Sequence, residues 1–151
     1  MRKIETVIHI HRPLQQVWEA LLDFSSYPAW NPFITSISGN PYPGNRIKVS
    51  ASLPGKKTML FKPLVVKSEP MSELRWKGKL FFRGLCDGEH YFILNQLPNG
   101  STALHHGEIF SGLLPPVMKS IFKRTEMGFQ KMNVALKERC EGEYTSTSLY
   151  A

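Results

Sequence analysis

A chain of 151 residues, 42% hydrophobic, 11% aromatic and only 21% charged, has the size and composition of one globular domain with a substantial core, which excludes a disordered or fibrous protein. Nineteen basic against twelve acidic side chains give a formal charge of +7, which favours encounter with anions of any kind. The basic residues are scattered, from Arg2 and Lys3 through Arg46, Lys48 and Lys62 to Arg75, Lys77 and Lys79, so they form no compact nucleic-acid arm and read as a solvated face.

Behind Met1-Arg2-Lys3 there is no apolar leader, and no apolar run reaches bilayer length, so a soluble, cytoplasmic protein is expected. Residues 3–10 alternate, with Ile4, Thr6, Ile8 and Ile10 on one side, and predict a half-buried strand. Pro13 then opens a helix over 13–22, with Leu14, Val17, Trp18 and Leu21 on its buried face. A short second turn over 23–27 follows, capped by Asp23 and stopped by Pro28. Strands are expected at 33–38, 46–53 and 58–67, separated by Gly39, Pro43-Gly44 and Pro54-Gly55, with Pro63 marking a bulge or an edge. The segment 73–83 turns Trp76, Gly78, Leu80 and Phe82 to one side and Arg75, Lys77 and Lys79 to the other. Strands 88–96 and 101–110 form a hairpin across Pro98-Asn99-Gly100.

Pro115 or Pro116 can open the long helix that follows. There Met118, Phe122, Thr125, Phe129, Met132 and Leu136 draw a continuous apolar stripe. The domain is expected to span 1–140, with 141–151 a flexible tail, because Glu141-Gly142-Glu143 and the residues after it lack an apolar period. Cys86 and Cys140 stand far apart, outside any Cys-x-x-Cys spacing, and read as reduced thiols.

This order of elements resembles the START-like, helix-grip superfamily (SRPBCC), in its polyketide cyclase/dehydrase and lipid-transport branch. The resemblance covers about residues 2–139. It rests on Val17-Trp18-Glu19-Ala20-Leu21-Leu22-Asp23-Phe24, Tyr27-Pro28-Ala29-Trp30-Asn31-Pro32-Phe33, Gly88-Glu89-His90-Tyr91-Phe92 and Glu108-Ile109-Phe110-Ser111-Gly112. It implies an α+β fold in which a curved antiparallel sheet of about seven strands wraps a long C-terminal helix, with two short helices after the first strand. Hydrophobic-ligand binders, cyclases, hormone receptors and co-chaperone domains share that frame, so the frame alone assigns no activity.

A sheet curved around one helix leaves a pocket at its open end, and strand alternation says which residues face it. The alternation that buries Leu104 and Phe110 also buries His106 and Glu108, and the one that buries Phe92 also buries His90. A buried carboxylate beside an imidazole can move a proton near neutrality, which makes Glu108, His106 and His90 the acid–base candidates, with no catalytic residue assigned. The plainer account is that Glu108 accepts a hydrogen bond from His106 or Trp30 and only satisfies buried polar groups. Trp30-Asn31-Pro32 reads equally as a lip of the cavity or as a core plug whose Asn31 fixes the turn.

His9 and His11 lack a third ligand, and neighbouring His105 and His106 point to opposite faces, so no metal is expected. The glycines form neither a phosphate loop nor a dinucleotide fingerprint, and no cofactor is expected. Gly78 and Gly107 fall inside strands, where the missing side chain lets the sheet bend or the helix approach.

The leading expectation is a protein that encloses a small or medium hydrophobic molecule, lipid-like or polyketide-like, between the sheet and the 116–139 helix. Trp30, Trp76, Leu80, Phe82, Phe92, Phe110, Met118, Phe122 and Phe129 would line the cavity. Asn31, His90, His106 and Glu108 would orient the ligand's polar end. The alternatives are a polyketide cyclase or dehydratase using Glu108 or His106, and a co-chaperone-like interaction module. A nucleic-acid partner is not expected, because the aromatic residues needed for stacking point away from the charges. Weak contact with an anionic membrane or an acidic protein fits the charge.

Overall fold

The computed structural model describes residues 1–80, 86–112 and 118–150. Strand β1 (Arg2–Ile10) leads into helix α1 (Leu14–Leu22), a 3-10 turn (Phe24–Ser26) and helix α2 (Tyr27–Trp30). Seven further strands follow: β2 (Ile34–Ser38), β3 (Lys48–Ala51), β4 (Met59–Phe61), β5 (Leu64–Glu69), β6 (Glu73–Leu80), β7 (Cys86–Gln96) and β8 (Thr102–Gly112). Helix α3 (Met118–Tyr150) closes the chain. Five strands pair in the order β1-β8-β7-β6-β5 and three in the order β2-β3-β4, every described pairing antiparallel. This is the helix-grip α+β fold that the order of elements implies. No described helix is long and apolar enough to cross a membrane.

Helix α3 holds the two sheets together. Met118, Phe122, Thr125, Phe129, Met132 and Leu136 are all buried, so the stripe read from the sequence is the buried face. Each large apolar side chain sunk there contributes about 1.5–3 kcal/mol of transfer free energy. Gly128 lies on the same side, and a Cβ there would come within 2.6 Å of the Phe33 ring; its missing side chain sets how closely α3 approaches the start of β2. Arg124 of α3 donates to the Pro54 carbonyl and so ties the β3–β4 connection to the helix.

Three local expectations are corrected. Pro28 lies in the first turn of α2 rather than stopping a helix, a position where a missing N–H removes no intrahelical bond. Asp23 accepts from the hydroxyls of Ser25 (3.1 Å) and Ser26 (2.6 Å), and its side chain makes no helix-cap hydrogen bond. Pro63 is neither a bulge nor an edge within one strand. It is the point where the chain leaves the three-stranded sheet and enters the five-stranded one, since proline cannot donate to a ladder. Gly78 accommodates that crossing, for a Cβ there would lie 3.2 Å from the Pro63 Cβ.

Helix α3 also runs on into the segment expected to form a tail. Glu141 is clasped to the end of β1, accepting from the His11 amide (2.9 Å) and from Lys137 Nζ (2.8 Å), while Lys137 also donates to the His9 carbonyl at 2.7 Å. Pro115 and Pro116 lie outside the described residues.

Candidate functional site

Strand register builds the site. Across β1, β8, β7 and β6, one row reads Ile4, Glu108, His90 and Trp76, and the next Thr6, His106, Phe92 and Leu74. All eight side chains are buried, so the inward assignment made for His90, His106 and Glu108 is the observed one. Directly opposed pairs meet side by side, and diagonal neighbours lie within reach of long side chains. His90 Nδ1 lies 3.2 Å from Glu108 Oε1, and His90 Nε2 lies 2.8 Å from His106 Nε2. Helix α3 adds Asn133, whose Oδ1 is 2.8 Å from His106 Nδ1 and whose Nδ2 donates to Thr6 Oγ1 at 2.8 Å. The Thr6 hydroxyl donates to the His106 carbonyl at 2.9 Å.

That last bond fixes the direction of all the others, because a carbonyl can only accept. Thr6 gives its proton to the carbonyl, so it accepts from the Asn133 amide. Asn133 then presents its oxygen to His106 Nδ1, which must carry the proton. His106 Nε2 is therefore an acceptor, and His90 Nε2–H donates to it. His90 Nδ1 is left as the acceptor facing Glu108, and one proton lies between that nitrogen and the carboxyl.

Burial decides who holds it. Desolvation pushes the Glu108 carboxyl up to about 8 and the His90 imidazole down to about 3. Burial, with His90 beside it, also holds His106 well below its ordinary value, against the opposing hydrogen bond with Asn133. Although 3.2 Å would suit an ion pair, both shifts favour the neutral form, in which a protonated Glu108 donates to a neutral His90. The rings around them suit neutral imidazoles: Trp76 stacks on His90 at 4.9 Å, and Phe129 and Phe92 stack on His106 at 4.2 and 4.4 Å. Glu108 Oε2 makes no hydrogen bond among the described residues.

Glu108 and His90 form the buried floor of a cavity of about 480 Å³. Its walls come from both sheets: Ile34, Val49, Ala51 and Phe61 from β2, β3 and β4, and Leu64, Val66 and Trp76 from β5 and β6. Exposed Arg46 and Lys62 border it, while Lys77, Lys79 and Asp87, also among its lining residues, alternate with inward Trp76, Gly78 and Gly88, so their side chains turn to the opposite face of the sheet. The volume lies within the usual range for small-molecule pockets.

Of the residues singled out from the sequence, Trp76, His90 and Glu108 line this cavity. His106, Phe92, Phe110, Met118, Phe122 and Phe129 are buried in the core beside it and do not line it. Asn31 is buried, with Oδ1 accepting from the amides of Phe33 (3.0 Å) and Ile34 (2.9 Å), the turn-fixing arrangement. Trp30 packs its ring edge-on to Tyr27 at 5.2 Å. Phe82 and the Leu80 side chain lie outside the described residues. His105 turns outward to Glu5 at 3.3 Å, away from His106.

Asn133 and Thr6 were not singled out as site residues, although each carried a signal. Asn133 falls four positions after Phe129 on the buried stripe, and Thr6 alternates with isoleucines. Lys77 and Lys79 are exposed, the solvated face that the sequence predicts for them.

Residues 1–141 match the family described as polyketide cyclase / dehydrase and lipid transport. No curated protein matches the sequence significantly. Among solved structures, a START superfamily protein from Mycobacterium smegmatis superposes with a TM-score of 0.74 at 17% identity, over 93% of this chain and 97% of that one. Protein MLL2253 from Mesorhizobium loti gives 0.72 at 21% identity, over 91% and 95%. The ZhuI aromatase/cyclase from Streptomyces sp. R1128 gives 0.71 at 13% identity, over 93% of each chain. Likenesses at these identities carry the fold.

Proposed function

Because the chain belongs to the polyketide cyclase/dehydrase and lipid transport family, we propose that it binds a small or medium hydrophobic molecule in the cavity floored by Glu108 and His90. The single observation that carries this reading is an apolar cavity of about 480 Å³ with one polar patch at its buried end. An apolar wall supplies affinity, and a neutral carboxyl supplies one oriented hydrogen bond without the cost of burying a charge. Native mass spectrometry of the freshly purified protein, before and after denaturation and extraction, tests it together with thermal shift. A carried mass lost on denaturation, or a raised melting temperature with an apolar compound, is expected. No carried mass and no shift across a broad lipid and polyphenol panel would overturn it.

The protonated Glu108 with an unbonded Oε2 also favours a second reading, a dehydratase acting on a β-hydroxy carbonyl compound. The Glu108 proton would leave with the hydroxyl as water, and the α-proton would return to the carboxylate, so the acid is regenerated. Glu108→Gln should then abolish turnover while leaving affinity within about twofold. Turnover retained in that variant would remove Glu108 from the chemistry.

A further inference from the structure

Two buried polar side chains line the cavity among the described residues, His90 and Glu108, and they differ in what they have left to offer a ligand. Both ring nitrogens of His90 are engaged, Nδ1 with Glu108 and Nε2 with His106. Glu108 commits Oε1 to His90, while Oε2 has no hydrogen-bond partner among the described residues. Nor is Oε2 one of the enclosed, unbonded side-chain atoms found there; Glu108 keeps 9% of its side chain exposed, on the floor of the cavity. The donor order that starts at the Thr6 hydroxyl makes this open oxygen an acceptor. One proton lies between His90 Nδ1 and Glu108 Oε1. With the proton on Oε1, Oε2 is the carbonyl oxygen of an acid; with the proton on Nδ1, it is a carboxylate oxygen. In neither case does Oε2 carry a hydrogen, so its role does not depend on the charge of the pair.

We infer that the molecule this cavity takes presents a neutral hydrogen-bond donor, a hydroxyl or N–H group, to Glu108 Oε2, with its apolar body against Ile34, Val49, Ala51 and Phe61. The inference rests on the binding reading above and adds the chemistry and the orientation of the ligand's polar end. A ketone, an ether or an ester seated the same way sets oxygen against oxygen, and an anionic head does so while also losing its hydration. Any such ligand shuts Oε2 away from water without giving it a donor, and a buried acceptor left unpaired weakens binding.

The test is isothermal titration calorimetry at neutral pH with two series: 2-naphthol against 2-methoxynaphthalene and 2-acetylnaphthalene, and 1-decanol against its methyl ether. Within each series that binds, the hydroxyl compound is expected to bind about tenfold more tightly than its acceptor-only partners, although these carry additional carbon. Equal affinities there, or tighter binding of the ethers and the ketone, would overturn the donor requirement while leaving the cavity reading standing. Absence of binding by every compound of both series would overturn the binding reading together with this one.

Two variants assign the preference to one atom. Glu108→Met removes the acceptor and should make the members of a series bind equally. Glu108→Gln, whose amide N–H can donate to His90 Nδ1 while its carbonyl oxygen serves as the acceptor, should restore the preference that Glu108→Met loses. A preference kept by folded Glu108→Met would overturn the role of Oε2. Orientation is read in the wild-type protein, whatever the fate of that variant: nuclear Overhauser contacts are expected from the naphthol ring protons flanking the hydroxyl to the His90 ring, which lies at the cavity floor. Contacts to His90 from the opposite ring edge instead would overturn the inference.

Discussion

Between pH 4.5 and 8 the folded protein keeps a proton on Glu108 that the unfolded chain releases, so this carboxyl contributes stability that is complete below 4.5 and is lost as pH rises toward 8. His90 and His106 act in the opposite sense. Their folded values are depressed, so the stability they contribute is complete above 6.5 and is lost as pH falls, for His90 toward about 3. Above 6.5, of these three groups, only Glu108 titrates, at a slope of up to about 1.4 kcal/mol per pH unit. Just below 6.5 two imidazoles outweigh one carboxyl. Urea midpoints are therefore expected to peak near pH 6.5, and Glu108→Gln, whose amide can still donate to His90 Nδ1, should flatten the limb from 6.5 to 8. An unchanged slope in that variant would remove Glu108 as the cause. The donor order derived above has its own check: nitrogen-15 correlation spectra should show His106 protonated at Nδ1 and His90 at Nε2. Asn133→Ala would leave the buried His106 Nδ1–H without its acceptor and should cost about 1–3 kcal/mol.

Among the elements, α3 shows where propensity and packing disagree. Alanine normally stabilises a helix interior by about 1 kcal/mol relative to glycine. At Gly128 the added Cβ meets the Phe33 ring at 2.6 Å, so Gly128→Ala should instead lower stability by about 1–3 kcal/mol, measured by urea unfolding. Phe33→Leu in the same background should restore part of the loss. The stripe from Met118 to Leu136 was legible because helical period survives in a list of residues, and the strands were legible because alternation does. Pro63 was legible as an interruption but not as a change of sheet, since β4 and β5 differ only in which distant strand pairs with each. Gly128 was not legible, because the ring that requires it lies near the start of β2, far away in the chain. For the same reason the inward placement of His90, His106 and Glu108 could be read from alternation within β7 and β8, while Asn133, which orients the set, arrives from the helix.

For the molecule as a whole, a ligand seated in the cavity bridges the two sheets, because the walls come from β2, β3 and β4 on one side and from β5 and β6 on the other. Saturation at a hundredfold excess over Kd should raise unfolding stability by about 2.7 kcal/mol, read as a dose-dependent melting temperature. A melting temperature indifferent to concentration would mean that the compound binds the unfolded chain as well. Met118, Phe122 and Phe129, expected to line a cavity, are buried and are not among the residues lining the one floored by Glu108 and His90, whose position depends on how the smaller sheet folds over the larger, which no local pattern encodes. The hydrogen bond from Thr6 to the His106 carbonyl has a last consequence. That carbonyl has nothing to pass on, so among the described residues the hydrogen-bonded chain is a cul-de-sac, and a proton entering it from Glu108 returns the way it came. A molecule seated over the carboxyl would therefore cork its way out through the cavity and leave that hydrogen kinetically marooned, slow to trade with solvent deuterium for as long as the occupant stays.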